Sequence, residues 1–277
     1  MSVSETIETA SSFILDAPPG ELQDVITDVK TLVNDDPAVI EGVTPAIEKY
    51  NKEQLITTKL PGASEQVIIS EYNCLPGGRF FDVGSQSSFE FHHVKQKASN
   101  PQSWALESGN AELIKALLRD VAPHVKEHYP SSPAFGVYPV QDDAAVAVAI
   151  IGNKYSPSNY WNGRWRSTYT YTPSSSELTG TIQVDVHYYE DGNVRLLTTK
   201  PVQVSLNSGT SAEIVKTIAS HEKKYQEELN RAFGALSEGA FKNLRRQLPI
   251  SRQKIDWEKI GNYRLGQEIG GGRSVTR

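Results

Sequence analysis

Leu178-Thr179-Gly180-Thr181-Ile182-Gln183-Val184-Asp185-Val186-His187-Tyr188-Tyr189-Glu190-Asp191-Gly192-Asn193-Val194-Arg195-Leu196-Leu197-Thr198-Thr199-Lys200 is the stretch whose spacing decides the fold. Its first half alternates. In a strand, Ile182, Val184, Val186 and Tyr188 point one way, and Thr181, Gln183, Asp185 and His187 point the other. Glu190-Asp191-Gly192-Asn193 reads as a hairpin turn, because Gly and Asn accept positive φ at low cost. Val194 to Lys200 then returns as the partner strand. Two strands joined so tightly pair antiparallel, since a parallel pair needs a crossover of a dozen or more residues.

The same pattern extends upstream. Ala144 to Ile151 is apolar and compact, and Tyr160 to Thr172 is dense in aromatic residues and Thr, so residues 135–200 form a strand-rich centre. Downstream, Thr210-Ser211-Ala212-Glu213 fits a capping box. Ile214, Ile218, Tyr225, Leu229, Ala232 and Leu236 follow as one helical stripe, which should stop near Gly234 or Gly239 and is long enough to lie across a sheet. A sheet covered by one helix leaves a second face, and the Thr181–His187 side, being polar, is expected to be solvated. An uncovered edge strand would recruit another chain.

Ahead of this centre the chain reads as helices. Leu22, Val25, Ile26, Val29, Leu32 and Val33 share a face after Pro18-Pro19-Gly20; Asp36-Pro37 opens a further helix through Ile40, Val43, Ile47 and Tyr50, which Pro45 should bend or interrupt. From Thr57 to Phe91 the pattern shortens to strands at Val67-Ile68-Ile69 and Ser88–Phe91, with a turn at Pro76-Gly77-Gly78. A helical period returns near Gly109 with Leu113, Leu117, Val121 and Val125. Pro123 argues against an undisturbed helix there, and Pro130 should close it.

The chain has 277 residues, 38% hydrophobic and 22% charged, which is ordinary for a globular protein with a sizeable core. No run approaches the ~18 to 20 apolar residues of a membrane helix. The start, MSVSETIETASSF, lacks the basic and apolar regions of a secretory leader. A single cysteine, Cys74, excludes an internal disulfide framework, and a reducing compartment is expected. Charge is uneven. Residues 242–277 carry nine Lys/Arg against three acids, so a basic end of +6 follows an acidic body of −11. That asymmetry suggests attachment to an acidic partner.

Several constellations could carry chemistry. His124-Val125-Lys126-Glu127-His128 matches the H-x-x-E-H spacing of a zinc peptidase class, with two His on one helix face and a Glu as base. No third ligand is evident, and the alternative is a solvated helix face. His92-His93 point to opposite sides of a strand, and Cys74 has no basic neighbour but Arg79, so both read as structural. Asp191-Gly192-Asn193 lacks the remaining ligands of a calcium loop, and no phosphate-binding glycine motif stands between a strand and a helix. Tyr160–Arg166 mixes aromatics with arginines, as nucleic-acid surfaces do; the plainer reading packs Trp161 and Trp165 inward and exposes Arg164 and Arg166. The basic end holds the best candidate, a short amphipathic helix carrying Ile255, Ile260 and Tyr263 along one side, beyond a break at Pro249.

Three stretches then carry an identification: Trp161-Asn162-Gly163-Arg164-Trp165-Arg166-Ser167, Val186-His187-Tyr188-Tyr189-Glu190-Asp191-Gly192-Asn193-Val194, and Phe241-Lys242-Asn243-Leu244-Arg245-Arg246-Gln247-Leu248-Pro249-Ile250-Ser251-Arg252, the last running into Lys254-Ile255-Asp256-Trp257. With Ala17-Pro18-Pro19-Gly20-Glu21 they make the chain resemble the alpha subunits of F-actin capping protein, in the same order along nearly its whole length.

The resemblance implies an α+β subunit: N-terminal helices, a central antiparallel sheet covered by one long helix, and a mobile C-terminal amphipathic arm. In residues, this divides into 1–55 (helical), 56–134 (short strands and a helix), 135–240 (sheet and long helix) and 241–277 (basic actin-binding arm), all one integrated subunit. It implies no enzyme, cofactor or metal, and no nucleic acid partner. It implies an obligate heterodimer with a beta subunit, the two sheets joined edge to edge, that caps the barbed ends of actin filaments without calcium and without severing them. The expected place is the cytoplasm, in cortical actin structures. Phosphoinositides and a dynactin-type actin-related filament are further expected partners. The family's actin-binding positions match Lys242, Arg246, Arg252 and Lys254, with Trp257 and Ile260 as apolar anchors. Gln253 and Asn243 depart from the family pattern without removing charge, and the end from Gly270 to Arg277 is unlike the family's tails.

Overall fold

The computed structural model describes residues 2–63, 65–129, 131, 133–190 and 193–238. The chain divides into two compact units, residues 1–222 and 223–277.

Four helices come first: α1 (Val3–Leu15), α2 (Leu22–Leu32), α3 (Pro37–Gly42) and α4 (Thr44–Glu53). Ser2 and Glu5 make a capping box at the start of α1, and the Asp36 side chain accepts from the Ala38 N–H ahead of Pro37. Pro45 interrupts the expected helix as a proline should. The chain breaks at Val43, and Pro45 sits in the first turn of α4, where its missing N–H costs nothing. The four helices share a core of their own, with Ile14, Ile26, Val29, Ile47 and Tyr50 at its centre. Tyr50 is tied by its hydroxyl to the carbonyl of Ala17 at 3.1 Å.

Short strands follow. β1 (Thr57–Lys59) pairs with β2 (Gln66–Ile68), and β3 (Arg79–Asp82), β4 (Ser87–His92) and β5 (Lys97–Ser103) form a three-stranded antiparallel sheet. Phe80, Phe89 and Phe91 fill a second core beneath them. Next, α5 (Ala111–His128) runs unbroken through Pro123, where the sequence suggested a disturbed helix. The stripe of Ile114, Leu117, Val121 and Val125, all buried, holds the helix together across the one backbone bond that proline removes. Pro130 lies outside the described residues.

The centre is an antiparallel sheet of β6 (Ala134–Val140), β7 (Ala145–Ser156), β8 (Trp161–Thr172), β9 (Glu177–Tyr188) and β10 (Val194–Ser205), ordered β10-β9-β8-β7-β6. This is the expected meander, and β9 and β10 pair in the register His187↔Arg195 and Ile182↔Lys200. Asp191 and Gly192 of the connecting turn are outside the described residues. Finally α6 (Ser211–Glu238) begins, with Ile214 and Ile218 buried. Its start differs in detail from a simple capping box. Thr210 Oγ1 accepts from the Glu213 N–H at 3.4 Å, but the Glu213 carboxylate turns back onto the N–H groups of Asn207, Ser208 and Gly209. The Ser208 hydroxyl and those N–H groups hold that carboxyl down at about 2. The expected mobile arm, residues 241–277, lies outside the described residues.

Two expectations about the sheet are corrected. Half of the polar face of β9 is not solvated: Asp185 is 1% and His187 6% exposed, while Thr181 and Gln183 are half-buried. Nor does β8 expose its arginines, since Arg164 and Arg166 are buried while Trp161 and Trp165 are only half-buried. The N-terminal helical region covers this face, supplying polar partners where a hydrophobic layer would have left charges stranded. Both faces of the sheet are therefore occupied within residues 1–222.

Gly180 marks the tightest backbone approach in the sheet. A Cβ there would lie 2.3 Å from the Thr168 carbonyl oxygen and 3.0 Å from Tyr169 Cα, both backbone atoms. Gly180→Ala should cost about 1–3 kcal/mol or more, because two paired strands must separate to admit it. Urea unfolding of wild type and variant at equal protomer concentration checks this, and an unchanged midpoint would contradict it.

Candidate functional site

The residues singled out as filament-binding, Lys242, Arg246, Arg252, Lys254, Trp257 and Ile260, all lie outside the described residues. Three features of residues 1–222 bear on function: a buried carboxylate on α6, the polar face of the sheet, and its open edge.

Glu222 falls on α6 four residues after Ile218, on the apolar stripe. It is buried, and both of its oxygens are in use. Oε1 accepts from Ser167 Oγ at 2.5 Å and Tyr169 OH at 3.1 Å, both on β8. Oε2 accepts from Tyr129 OH at 2.8 Å and lies 2.8 Å from His124 Nε2 at the end of α5. One carboxylate thus joins two helices and a strand. The sequence reading missed this group; the signal was an acid at a position where helical spacing calls for an apolar residue. Burial first, and then the charge of Glu222, push both tyrosine hydroxyls far above their usual range.

The zinc reading of the same helix fails on geometry. His124 turns to Glu222, Glu127 is exposed, and His128 Nδ1 lies 3.0 Å from the carbonyl of His124. Among the described residues no group of three or more His, Cys, Asp or Glu is placed to hold a metal. The alternative of a solvated face is also wrong for His124, whose side chain is 9% exposed. His93 holds Asn51 through its carbonyl at 3.0 Å, and Cys74 is a free, half-buried thiol.

On the opposite face of the sheet, pairing follows the strand register. Arg195 on β10 grips Asp185 on β9 with two bonds of 2.9 and 2.7 Å, and donates to the Asp16 carbonyl at 2.5 Å. His187 Nδ1 lies 2.8 Å from Glu21, whose Oε1 also accepts from Asn162 Nδ2 at 2.8 Å. Arg164 reaches Asn153, Gln54 and Tyr155, and Arg166 reaches the Glu53 carbonyl at 2.8 Å. Asn153 and Tyr155 lie on the neighbouring β7, and the partners outside the sheet come from the loop after α1, from the start of α2 and from the end of α4. The arginine-rich stretch is thus an internal joint, which removes the nucleic-acid surface it resembled.

The edge strand β10 is the third feature. It pairs only with β9 among the described strands, across twelve residues, and carries Val194 at 63% and Leu197 at 61% exposure. A long edge with exposed apolar side chains is a template for another chain. At the other end of the sheet β6 is flanked by α5 and β2.

Comparison with known proteins gives a consistent picture. The family model described as F-actin capping protein alpha subunit matches residues 10–268. The F-actin-capping protein subunit alpha of Emericella nidulans is 57% identical over 98% of this chain and 99% of its own. That of Gibberella zeae is 58% identical over 97% and 98%, and that of Caenorhabditis elegans is 36% identical over 97% and 99%. Among solved structures, the homodimeric actin capping protein alpha subunit from Plasmodium berghei superposes with a TM-score of 0.73 at 21% identity, over 89% of this chain and 98% of that one, a likeness of fold.

Two outcomes follow from the Glu222 cluster. Glu222→Ala leaves the Ser167, Tyr169 and Tyr129 hydroxyls without their acceptor and His124 without its partner, and should destabilise the protein by roughly 3 kcal/mol or more, read as a fall in the urea midpoint. The tyrosine shifts set an alkaline limit. Tyr129 and Tyr169 stay protonated when folded but ionise near 10 when unfolded, so stability is full below about pH 10 and lost progressively above it. Tyr129→Phe should flatten that alkaline decline, and an identical slope in wild type and variant would contradict the assignment.

Proposed function

The chain belongs to the F-actin capping protein alpha subunit family, and from that premise we propose that it forms a heterodimer with a beta subunit that binds the barbed ends of actin filaments. Once bound, the heterodimer blocks subunit addition and loss. The observation that carries this reading is identity of 57% and 58% to capping protein alpha subunits with nearly all of both chains aligned.

Physical features support the parts. The open β10 edge, with Val194 and Leu197 exposed, suits a second sheet adding strand to strand. The basic end of the chain suits an acidic filament: Lys242, Arg246, Arg252 and Lys254 make the first contacts and speed encounter, and Trp257 and Ile260 bury apolar surface and slow release. Residues 241–277 form the arm that carries these contacts. The proposed capping needs no calcium and leaves the filament unsevered. Phosphoinositide headgroups compete for the same cations, and an actin-related filament of the dynactin type offers the same acidic surface. No helix among the described residues is long and apolar enough to cross a membrane. The proposed place of action is cortical actin in the cytoplasm.

The test is elongation of actin from barbed-end seeds, with the chain co-expressed with a beta subunit. Wild type should stop elongation at substoichiometric amounts. Replacing Lys242, Arg246, Arg252 and Lys254 by Ala should raise the half-maximal concentration by at least about tenfold, chiefly through slower association. A quadruple variant that caps normally would refute the site, and a wild-type heterodimer that never slows growth would refute the function.

A further inference from the structure

Trp104 to Glu107 follow β5 and belong to no helix or strand. Trp104 donates its backbone N–H to the Gln86 carbonyl at 2.9 Å, so the run begins as a continuation of the β4–β5 pairing. Beyond that bond the chain leaves the ladder. Among the described residues, the backbone N–H and C=O groups of Ala105, Leu106 and Glu107 meet no hydrogen-bonding partner. Such a row of open donors and acceptors is what an added strand requires.

A groove of about 420 Å³ lies beside this run. Its apolar lining is Val83, Trp104, Leu106, Leu118 of α5 and Phe135 of β6. The charged side chains that line it are both cations, Lys115 and Arg119 of α5, and they are 61% and 74% exposed. Their acidic neighbours stand outside the lining. Glu112 holds Lys115 at 3.1 Å in a pair exposed on both sides, which solvent weakens. Asp120 takes Nε of Arg119 at 3.0 Å, and its other oxygen is committed to the Ser211 hydroxyl. Both terminal nitrogens of Arg119 are left without an acceptor among the described residues. That edge of a guanidinium matches the two oxygens of a carboxylate.

We propose that this groove docks the carboxyl terminus of a partner chain whose last residue is bulky and apolar. Leu118 and Arg119 are successive residues of α5, so the apolar wall and the open fork are neighbours. A chain end carries its side chain and its carboxylate on one Cα and fills both. An internal Asp or Glu in an extended segment turns the residue beside it to the opposite side. The open groups of Ala105 to Glu107 receive the main chain that leads to the terminus. A terminal Phe suits the lining, since its ring meets Trp104 and Phe135. Phe135 lies on β6, at the opposite end of the sheet from β10. Docking here uses neither the β10 edge nor residues 241–277, so it is independent of filament capping.

The test uses the heterodimer of the full chain with a beta subunit and two fluorescein-labelled peptides of one sequence, Gly-Ser-Thr-Ser-Val-Phe. One ends in a free carboxylate and the other in an amide, and binding is read by fluorescence polarisation. The free acid should bind saturably and at least about tenfold more tightly than the amide. Arg119→Ala should leave the circular dichroism spectrum unchanged, weaken the free acid to the level of the amide, and leave the amide as before. Equal affinity of acid and amide on wild type, or no saturable binding of either, would overturn the proposal without recourse to any variant. An acid preference that survives in Arg119→Ala would overturn it as well. Acetyl-phenylalanine that displaces the peptide at equal concentration would also refute it, by assigning the groove to a small carboxylate that makes no use of the open backbone.

Discussion

Burying Arg164, Arg166, Asp185 and His187 on one face of a sheet obliges whatever covers that face to arrive with polar partners in register. Most of the architecture follows from this requirement. An apolar layer tolerates small slips between helix and sheet, because hydrophobic contact has no direction. A layer of hydrogen bonds to charged groups does not, since a missed partner costs the full desolvation of the group left alone. The loop after α1, the first residue before α2 and the last turn of α4 each bring one acceptor to a defined strand position. The helical region is fixed by direction as well as by area.

The opposite face solves the same problem with one atom group. There the sheet is mostly apolar toward α5 and α6, and Glu222 collects the exceptions, Ser167, Tyr169, Tyr129 and His124. A four-way acceptor in an otherwise greasy layer fixes rotation about the α6 axis, which a stripe of Ile and Val leaves loose. The two faces therefore differ in kind. One is an extended polar joint, and the other is an apolar contact pinned at a point.

Local periodicity was enough for the central elements. The meander, the break at Pro45 and the long final helix follow from period-two and period-3.6 spacing that each segment carries by itself. The errors are all tertiary. Thr181, Gln183, Asp185 and His187 look like a solvated face because alternation reports only that two faces differ, and whether the polar one is wet depends on residues more than a hundred positions away. Pro123 looks like a breaker because the buried stripe that carries the helix past it was judged without its packing. His124 looked like half of a metal site or an exposed side chain, and Glu222, its partner, lies 98 positions later. The residues proposed to bind the filament are the reverse case. Their recognition came from motif resemblance, and no spacing rule would have separated Lys242 or Arg252 from any other surface cation.

The long sequence separations in the polar joint also set a timetable. Arg195 bonds to a carbonyl 179 residues earlier, and Arg166 to one 113 residues earlier. On a ribosome adding ~5–20 residues per second, the four N-terminal helices wait roughly 6 to 36 seconds before the strands that receive them exist. Their shared core of Ile14, Ile26, Val29 and Ile47 gives them something to bury in the meantime. The first fifth of the chain thus functions during synthesis as a holding bundle, with its outward acceptors still in water, and becomes a lid on the sheet only after the last strands are made.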